Sequence, residues 1–278
     1  MNQPTQQNLL ALVKRNYEEI AGSFSQTRTN RPWPELLKLT EPVNAGDRIL
    51  DVGCGNGRLA EALTGKKVSY LGLDSSEKLI EIARRNFILS VIPEAAGCRE
   101  SRGEQQEHVS RFRFGGRNNK GIGVSPSLEL ASRHDNNKFI LGDVLELDKI
   151  PEKDFDYVFC VAMLHHLPGQ DSRVRALELM RDKLKPDGKI IITVWNLWQQ
   201  TKFRRLILKF ALLKILAKNK MDLGDILFDW KNKTGEEISQ RYYHAFTKRE
   251  LKKIAVMAGL KIEKLYKDRY NYYAILGG

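Results

Sequence analysis

Apolar residues along this chain follow two spacings, one typical of strands and one typical of helices. Short apolar runs predict strands at about residues 48–52, 68–73, 138–142, 155–161 and 188–195. Helical spacing predicts helices between them, at residues 57–64, 76–87 and 172–184. Strands that alternate with helices imply right-handed crossovers, so the pattern predicts an α/β fold with a mainly parallel sheet covered on both faces.

One segment on each side of this alternation predicts an addition to the α/β unit. Residues 9–20 have apolar side chains spaced for one helical face, and the following residues 23–34 include two prolines and read as a loop. Residues 1–40 are therefore predicted to form an N-terminal helix and lid. At the other end, residues 260–266 and 271–276 predict an antiparallel hairpin within the same single domain, residues 1–278.

A basic segment at residues 197–246 is predicted to be a helical insertion or cap. Its apolar residues recur at helical spacing between 203 and 216, and its basic residues lie largely elsewhere around the helix. Such a stripe most often packs on its own domain, although a membrane surface or RNA is an alternative. A short 241–244 run near its end is interpreted as a helix or loop packed on the sheet, or as a contact with RNA.

Residues 96–137 interrupt the alternation. They are rich in Arg, Gly, Asn, Ser and Gln and show no sustained period, which predicts a disordered insertion. The run at 111–117 is interpreted either as a tip that touches RNA or as part of a loop without function.

Charge and cysteine content narrow the classes of function. The formal net charge is +12, and the stretch from 197 to 220 has seven basic residues and no acid. Such a field favours encounter with a polyanion, of which nucleic acid is the commonest, although a solvated lysine-rich surface is the plain alternative. The three cysteines are far apart and unpaired by spacing, so neither a disulfide framework nor a metal site is predicted. No stretch is long and apolar enough to cross a bilayer, and the expected location is the cytoplasm.

Three glycines at alternate positions follow the first predicted strand. Gly53, Gly55 and Gly57 allow the backbone to approach a ligand closely, and the next helix presents free N–H groups to a negatively charged group. Asp74 ends the second predicted strand, where a carboxylate can accept hydrogen bonds from the two ribose hydroxyls of an adenosine. A dinucleotide site requires a different spacing, with glycine where Arg58 stands.

This G-x-G-x-G turn, opened by Asp51, resembles motif I of the class I S-adenosylmethionine-dependent methyltransferases. Residues 137–144, 155–167 and 184–194 resemble the family's later motifs in the same order. The resemblance implies a Rossmann-like, seven-stranded fold, S-adenosylmethionine as the cofactor, and no metal. The cofactor-binding residues that it implies are Asp51, Gly53, Cys54, Gly55, Asn56, Gly57, Asp74, Ser75, Asp143, Val144 and Val161.

A narrower resemblance is to the tRNA wobble-uridine carboxymethyl methyltransferases. It is carried by FSQTR at 24–28 with WP at 33–34, LHHL at 164–167, VWNLWQ at 194–199 and RYYHAF at 241–246. The activity implied is esterification of the carboxylate of a 5-carboxymethyl wobble uridine, with tRNA as partner and a small activator subunit as a further possible partner. The catalytic residues implied are Arg28 and His165, and the substrate or RNA contacts are Trp33, His166, Arg241, Tyr242 and His244.

Alternatives stay open for several of these roles. One of His165 and His166 can be structural while the other lies near the ligand, or both can act. Trp33 can stack on a base or plug the lid. The alternative activity is methylation of a small molecule such as a quinone, a phenol or a lipid intermediate, and a non-enzymatic RNA-binding protein is a third hypothesis.

Overall fold

A twisted sheet of seven strands forms the centre of the structure, a computed structural model that describes residues 1–27, 32–91, 137–231 and 237–278. The strands are β1 (Arg48–Val52), β2 (Ser69–Asp74), β3 (Asn137–Leu141), β4 (Phe155–Val161), β5 (Leu184–Trp195), β6 (Asp225–Lys231), β7 (Glu237–His244), β8 (Lys261–Lys267) and β9 (Asn271–Gly277). The sheet has the order β3-β2-β1-β4-β5-β9-β8, and β6 pairs with β7 in a separate two-stranded sheet.

Strands β1 to β5 are parallel, and β9 pairs antiparallel with both β5 and β8. The helices are α1 (Gln3–Thr27), α2 (Pro34–Thr40), α3 (Arg58–Ala62), α4 (Glu77–Val91), α5 (Gln170–Arg181), α6 (Thr201–Ile215) and α7 (Lys248–Met257). The predicted class, a mainly parallel seven-stranded sheet with helices and a C-terminal antiparallel hairpin, is confirmed.

Each central strand sends alternate side chains into two separate cores. In β1, Ile49 lies in one apolar cluster and Leu50 in the other. In β4, Phe159 belongs to the first of these and Val158 and Cys160 to the second. Both faces of the sheet are therefore buried, which explains why these strands appear in the sequence as continuous apolar runs.

Helix α1 is longer than its apolar pattern predicts. It continues to Thr27, so the first residues of the predicted 23–34 loop are helical. Phe24 is buried with Ile20 and Ala21 against Leu79 of α4, and this packing extends the helix beyond its regular stripe. Local pattern did not reveal the extension because the contact comes from a distant part of the chain.

The segment 197–246 contains more than a helix. The apolar side of α6 packs on β6 and β7, where Ile207 is buried with Ile226 and Tyr243. The strand pair was not predicted from the sequence, and the helix or loop interpretation of residues 241–244 is wrong, since they lie in β7. All four are buried, so no alternation of apolar and polar residues marks a strand there.

Of the predicted insertion at 96–137, only Asn137 is described, as the first residue of β3, and the remainder lies outside the described residues. Within the described ranges, no helix combines the length and the apolar character needed to cross a membrane.

Candidate active site

A cavity of about 280 Å³ lies at the carboxyl ends of β1, β2 and β4, covered by α1. Because β2 lies on one side of β1 and β4 on the other, the chain reverses its direction of progress across the sheet at this point. Crevices of this kind are where open α/β sheets bind ligands. The cavity therefore occupies the position expected for the active site.

The turn after β1 forms the floor of the cavity. Gly53 has a φ of +76°, and the N–H groups of Gly53 and Cys54 donate to the carbonyl of Leu73 over 2.8 and 2.9 Å. A Cβ atom on Gly53 would lie 2.5 Å from Cγ of Met163, which follows β4. Only glycine therefore fits between the two loops while keeping this backbone conformation.

Asp74 lies at the end of β2 and faces the same turn. Its carboxylate accepts hydrogen bonds from the N–H groups of Gly55 and Ser76, each over 2.9 Å. Burial raises the pKa of Asp74, whereas these backbone hydrogen bonds lower it. The two bonds fix the carboxylate at the rim of the cavity, where it can accept hydroxyl donors from a ligand.

Asp51 is buried at the end of β1 and lines the cavity. Its Oδ2 accepts a hydrogen bond from the Tyr70 hydroxyl over 2.7 Å, and Oδ1 has no hydrogen-bond partner among the described residues. Burial raises the pKa of Asp51 to about 7, the nearby Asp74 carboxylate adds to the increase, and the Tyr70 hydrogen bond opposes it. This carboxyl group is therefore costly to ionise until a positive charge comes near it.

Most of the predicted cofactor residues meet at this cavity. Its lining includes Asp51, Gly53, Cys54, Gly55, Asn56, Asp74, Ser75, Asp143, Val144 and Val161. Gly57 is the exception: it lies at the start of α3, where an added Cβ would be 3.3 Å from Ala83 of α4. Its role in the structure is close helix packing.

These residues fit S-adenosylmethionine on observations of the structure itself. Gly53 leaves a cradle that a Cβ would fill, the Asp74 carboxylate is held by two backbone N–H groups, and Asp51, which lines the cavity, has one oxygen without a hydrogen-bond partner among the described residues. In the described part of the chain, no group of three or more His, Cys, Asp or Glu side chains could hold a metal ion.

The other end of the cavity is aromatic. His166, after β4, and Tyr17, from α1, both line it, and the Tyr17 hydroxyl lies 2.7 Å from Nε2 of His166. Trp33 also lines the cavity, and the guanidinium of Arg58 lies 5.6 Å from the centre of its ring. Of the predicted substrate residues, Trp33 and His166 therefore line the same cavity as the predicted cofactor residues.

The two predicted catalytic residues are not brought to this place. Arg28 lies outside the described residues. His165 is fully buried behind the cavity lining, where its ring stacks on Tyr243 with centroids 5.1 Å apart and lies 5.5 Å from the ring of Trp195. Of the two histidines, His166 alone is in the described lining of the cavity, an arrangement compatible with the alternative in which one histidine is structural.

The predicted RNA contacts in β7 are also buried. Arg241, Tyr242 and His244 are 4%, 1% and 1% exposed, respectively. The Arg241 guanidinium lies 5.9 Å from the centre of the Tyr17 ring, close to the covering helix. Tyr242 and His244 both hydrogen bond to the buried carboxylate of Asp225, so the structure does not place them on a surface that RNA touches.

Sequence reasoning gave no role at the site to Tyr17 or Arg173, and it included Met163 only as part of the loop after the fourth strand. Tyr17 was interpreted only as part of an apolar stripe, although its hydroxyl contacts His166. The Met163 side chain packs against Gly53 so closely that it leaves no room for a Cβ atom there. Arg173 of α5 donates a hydrogen bond to the carbonyl of Leu167 over 3.0 Å. The Tyr17 and Met163 contacts join elements that are distant along the chain, whereas Arg173 lies 6 residues after Leu167, and no hydrophobic spacing marks any of the three.

The sequence of this chain is similar to those of known methyltransferases. A family model described as a methyltransferase domain matches residues 24–265. The tRNA (carboxymethyluridine(34)-5-O)-methyltransferase of Schizosaccharomyces pombe is 24% identical over 276 residues, covering 95% of this chain and 94% of that protein. The corresponding Xenopus tropicalis protein is 22% identical over 305 residues, and this chain spans only 40% of its length.

Solved structures agree on the fold. A SAM-dependent methyltransferase from Methanosarcina mazei superposes with a TM-score of 0.55 at 20% identity, covering 89% of this chain and 98% of that one.

Proposed function

Since the chain belongs to the methyltransferase domain family, we propose that it transfers a methyl group from S-adenosylmethionine to tRNA, esterifying the carboxylate of a 5-carboxymethyl uridine at the wobble position. The identity of the methyl acceptor is inferred from the similarity to the S. pombe tRNA carboxymethyluridine methyltransferase, which extends along nearly the full length of both chains. The net charge of +12 supports a polyanionic partner.

The residues of this chain would divide the work between the two ends of the cavity. Asp74 would hold the ribose of the cofactor, and Asp51 would offer a carboxylate to its positive charge. When bound, the sulfonium cofactor supplies an activated methyl group, so the protein's task is mainly to orient the acceptor. Tyr17, Trp33 and His166 form the part of the lining that is placed to contact that acceptor.

A carboxylate acceptor suits this lining. With an ordinary pKa near 4, a carboxylate is ionised at neutral pH and needs no general base to become a nucleophile. The site therefore needs donors and a base-stacking surface more than a proton acceptor. The Tyr17 hydroxyl and the His166 ring supply hydrogen-bonding groups, and the Trp33 ring supplies an aromatic face.

The experiment uses tRNA in three forms with tritium-labelled cofactor. Total tRNA is first saponified to free its existing methyl esters, and it is compared with untreated tRNA and with an unmodified transcript. We expect label to enter saponified tRNA most strongly, to be released by ammonia, and to be absent from the transcript. Mass spectrometry of the nucleosides then identifies the ester, and the Asp74→Ala variant is the inactive control.

Two outcomes would reject the proposal. Equal labelling of the unmodified transcript would show that a ring atom, and not a carboxylate, is the acceptor. No labelling of any tRNA, together with transfer to a phenol or quinone, would favour the small-molecule alternative, for which the exposed apolar residues Leu208, Leu212 and Ile215 of α6 are the supporting observation.

A further inference from the structure

A network of buried charged side chains joins three elements behind the active site. It consists of Arg173 in α5, Asp225 in β6, His244 in β7 and Glu250 in α7. His244 Nδ1 lies 2.6 Å from Oδ1 of Asp225, and His244 Nε2 lies 2.7 Å from Oε1 of Glu250. Arg173 Nη2 lies 3.6 Å from the same oxygen of Glu250, so the four side chains are continuous.

This charge network is balanced internally. Each nitrogen of His244 faces a carboxylate oxygen, an arrangement that is satisfied when both nitrogens donate and the ring is positively charged. Hydrogen bonds to the two carboxylates raise the pKa of His244 despite its burial and the nearby Arg173, and His244 in turn lowers the pKa of Glu250. Two positive and two negative groups can therefore stay charged away from water.

Both ends of the network reach the loop between β4 and α5. At one end, Arg173 Nη1 donates to the carbonyl of Leu167 over 3.0 Å. At the other end, Asp225 accepts from the hydroxyl of Tyr242 over 2.7 Å, and the Tyr242 carbonyl lies 3.5 Å from Nδ1 of His166. Leu167 and His166 both line the cavity.

We propose that Arg173 is a positioning residue for methyl transfer, which holds the carbonyl of Leu167 and thereby the His166–Leu167 segment against the acceptor end of the cavity. The inference rests on the proposed function only in taking this end of the cavity as the acceptor end. Arg173 touches no cofactor-lining carboxylate in the described residues, so it acts on the acceptor side through the backbone of the loop.

An arginine is required because one side chain must serve two partners at once. The planar guanidinium reaches the Leu167 carbonyl with one nitrogen and approaches Glu250 with the other, while its face lies 5.6 Å from the Phe246 ring centre. A lysine can keep the charge but offers a single point of contact. A methionine keeps the approximate length and offers neither charge nor donor.

Arg181, on the same helix, provides a matched control. Its Nη1 donates to the carbonyl of Ala258 over 2.6 Å, which ties α5 to the end of α7. It therefore makes the same kind of bond between an arginine and a backbone carbonyl, but far from the cavity lining. Arg181→Met removes a structural anchor without touching the acceptor loop.

The experiment compares Arg173→Met, Arg173→Lys and Arg181→Met in the full chain. For Arg173→Met we expect kcat to fall about 100-fold, since small misplacements of reacting groups cost that much. The affinity for S-adenosylmethionine, measured by calorimetry, should stay that of the wild type. Arg173→Lys should recover part of the loss, and Arg181→Met should keep the wild-type kcat even where its melting temperature falls.

Hydrogen exchange of residues 162–168 gives a readout that needs no acceptor. The amides of this loop should exchange faster in Arg173→Met than in the wild type or in Arg181→Met. This measurement separates the inference from the proposed function, because it applies even where the wild-type enzyme leaves tRNA unmethylated. Where Arg173→Met does not fold, Arg173→Lys is compared with Arg181→Met in the same way.

Two results would overturn the inference. One is an equal loss of kcat in the Arg173 and Arg181 variants that follows their loss of folded protein, which would make Arg173 a purely structural anchor. The other is unchanged exchange of the 162–168 loop in the folded Arg173 variant.

Discussion

Ionisation of Asp51 should affect both the stability of the protein without cofactor and its affinity for the cofactor. As pH rises, the stability should fall and the affinity should increase. Its pKa is raised to about 7 by burial, from an ordinary value of 3.8. The folded protein therefore keeps a proton on Asp51 up to about pH 7, whereas the unfolded chain releases it near pH 4. Because the folded state binds more protons between these values, stability is expected to fall as pH rises from about 4 to about 7.

The size of the effect follows from the shift. A difference of about three pKa units corresponds to at most about 4 kcal/mol of unfolding free energy, at 1.36 kcal/mol per unit. In Asp51→Asn the Tyr70 hydroxyl can still donate to the amide oxygen, and the new N–H groups lack partners, at a cost of about 1–3 kcal/mol. At pH 8 the variant without cofactor should therefore be more stable than the wild type by about 1–3 kcal/mol.

Cofactor affinity should change the other way. The resemblance pairs Asp51 with the positively charged amino end of the cofactor, so wild-type binding should tighten by up to about tenfold per pH unit as Asp51 ionises toward pH 7. Asp51→Asn should bind more weakly and show a flatter dependence on pH. Tyr70→Phe removes the hydrogen bond that lowers the pKa of Asp51, so its binding midpoint should move to higher pH.

Urea denaturation at pH 5 and pH 8 measures the first effect, and calorimetry with S-adenosylmethionine between pH 5.5 and 7.5 measures the second. The reasoning is refuted where Asp51→Asn is less stable than the wild type by the same margin at both pH values. A wild-type affinity that does not depend on pH across this range would equally remove Asp51 from the cofactor site.

Three further predictions follow from the described contacts. Asp74→Asn places an amide N–H against a backbone N–H and removes a charged acceptor, so cofactor affinity should fall about 10- to 100-fold by calorimetry. Gly53→Ala should lower the unfolding free energy by about 2–5 kcal/mol in urea, from a positive φ and the 2.5 Å approach of its Cβ to Met163; an unchanged midpoint would contradict the close packing. The stabilisation from the raised pKa of His244 should be complete below about pH 6.5 and be lost as pH rises through its folded-state value, which a melting series shows as a slope. In His244→Gln that slope should disappear and stability should fall by about 3–5 kcal/mol, because the buried carboxylates of Asp225 and Glu250 lose the cation between them.

The fold was predictable because its central strands carry their own signal. Both faces of β1, β4 and β5 are buried, so each strand stands out as an apolar run between turn residues. The glycine turn was predictable for a related reason, since a positive φ at Gly53 leaves few residue types that fit. Residues set by local backbone requirements can be identified from one sequence.

The acceptor side was not predictable in the same way. The contacts of Tyr17 and Met163 join elements far apart along the chain, and Arg173 reaches a backbone carbonyl of the loop just before its own helix, so no hydrophobic spacing marks these three roles. The resemblance assigned Arg241, Tyr242 and His244 to contacts with RNA, a role that requires exposed side chains. In β7 they are buried, since Asp225 and the aromatic rings around Tyr243 supply partners that the sequence alone cannot show.

Two groups of buried charges in this protein differ in whether their carboxylates are paired with cations. This difference distinguishes the cofactor end of the cavity from the network behind the acceptor end. Around His244, the two carboxylates are matched by two cations, so their charges balance without a ligand. Around the cavity, burial raises the pKa of both Asp51 and Asp74, the Asp74 carboxylate raises that of Asp51 further, and the Glu18 carboxylate raises that of Asp74. Buried carboxylates whose pKa values are raised are typical of sites where a positive group binds. Ionisation of Asp51 is therefore costly until a cationic ligand enters the cavity, whereas the charges behind the acceptor end are already paired, which is why Asp51→Asn should stabilise the protein without cofactor and His244→Gln should destabilise it.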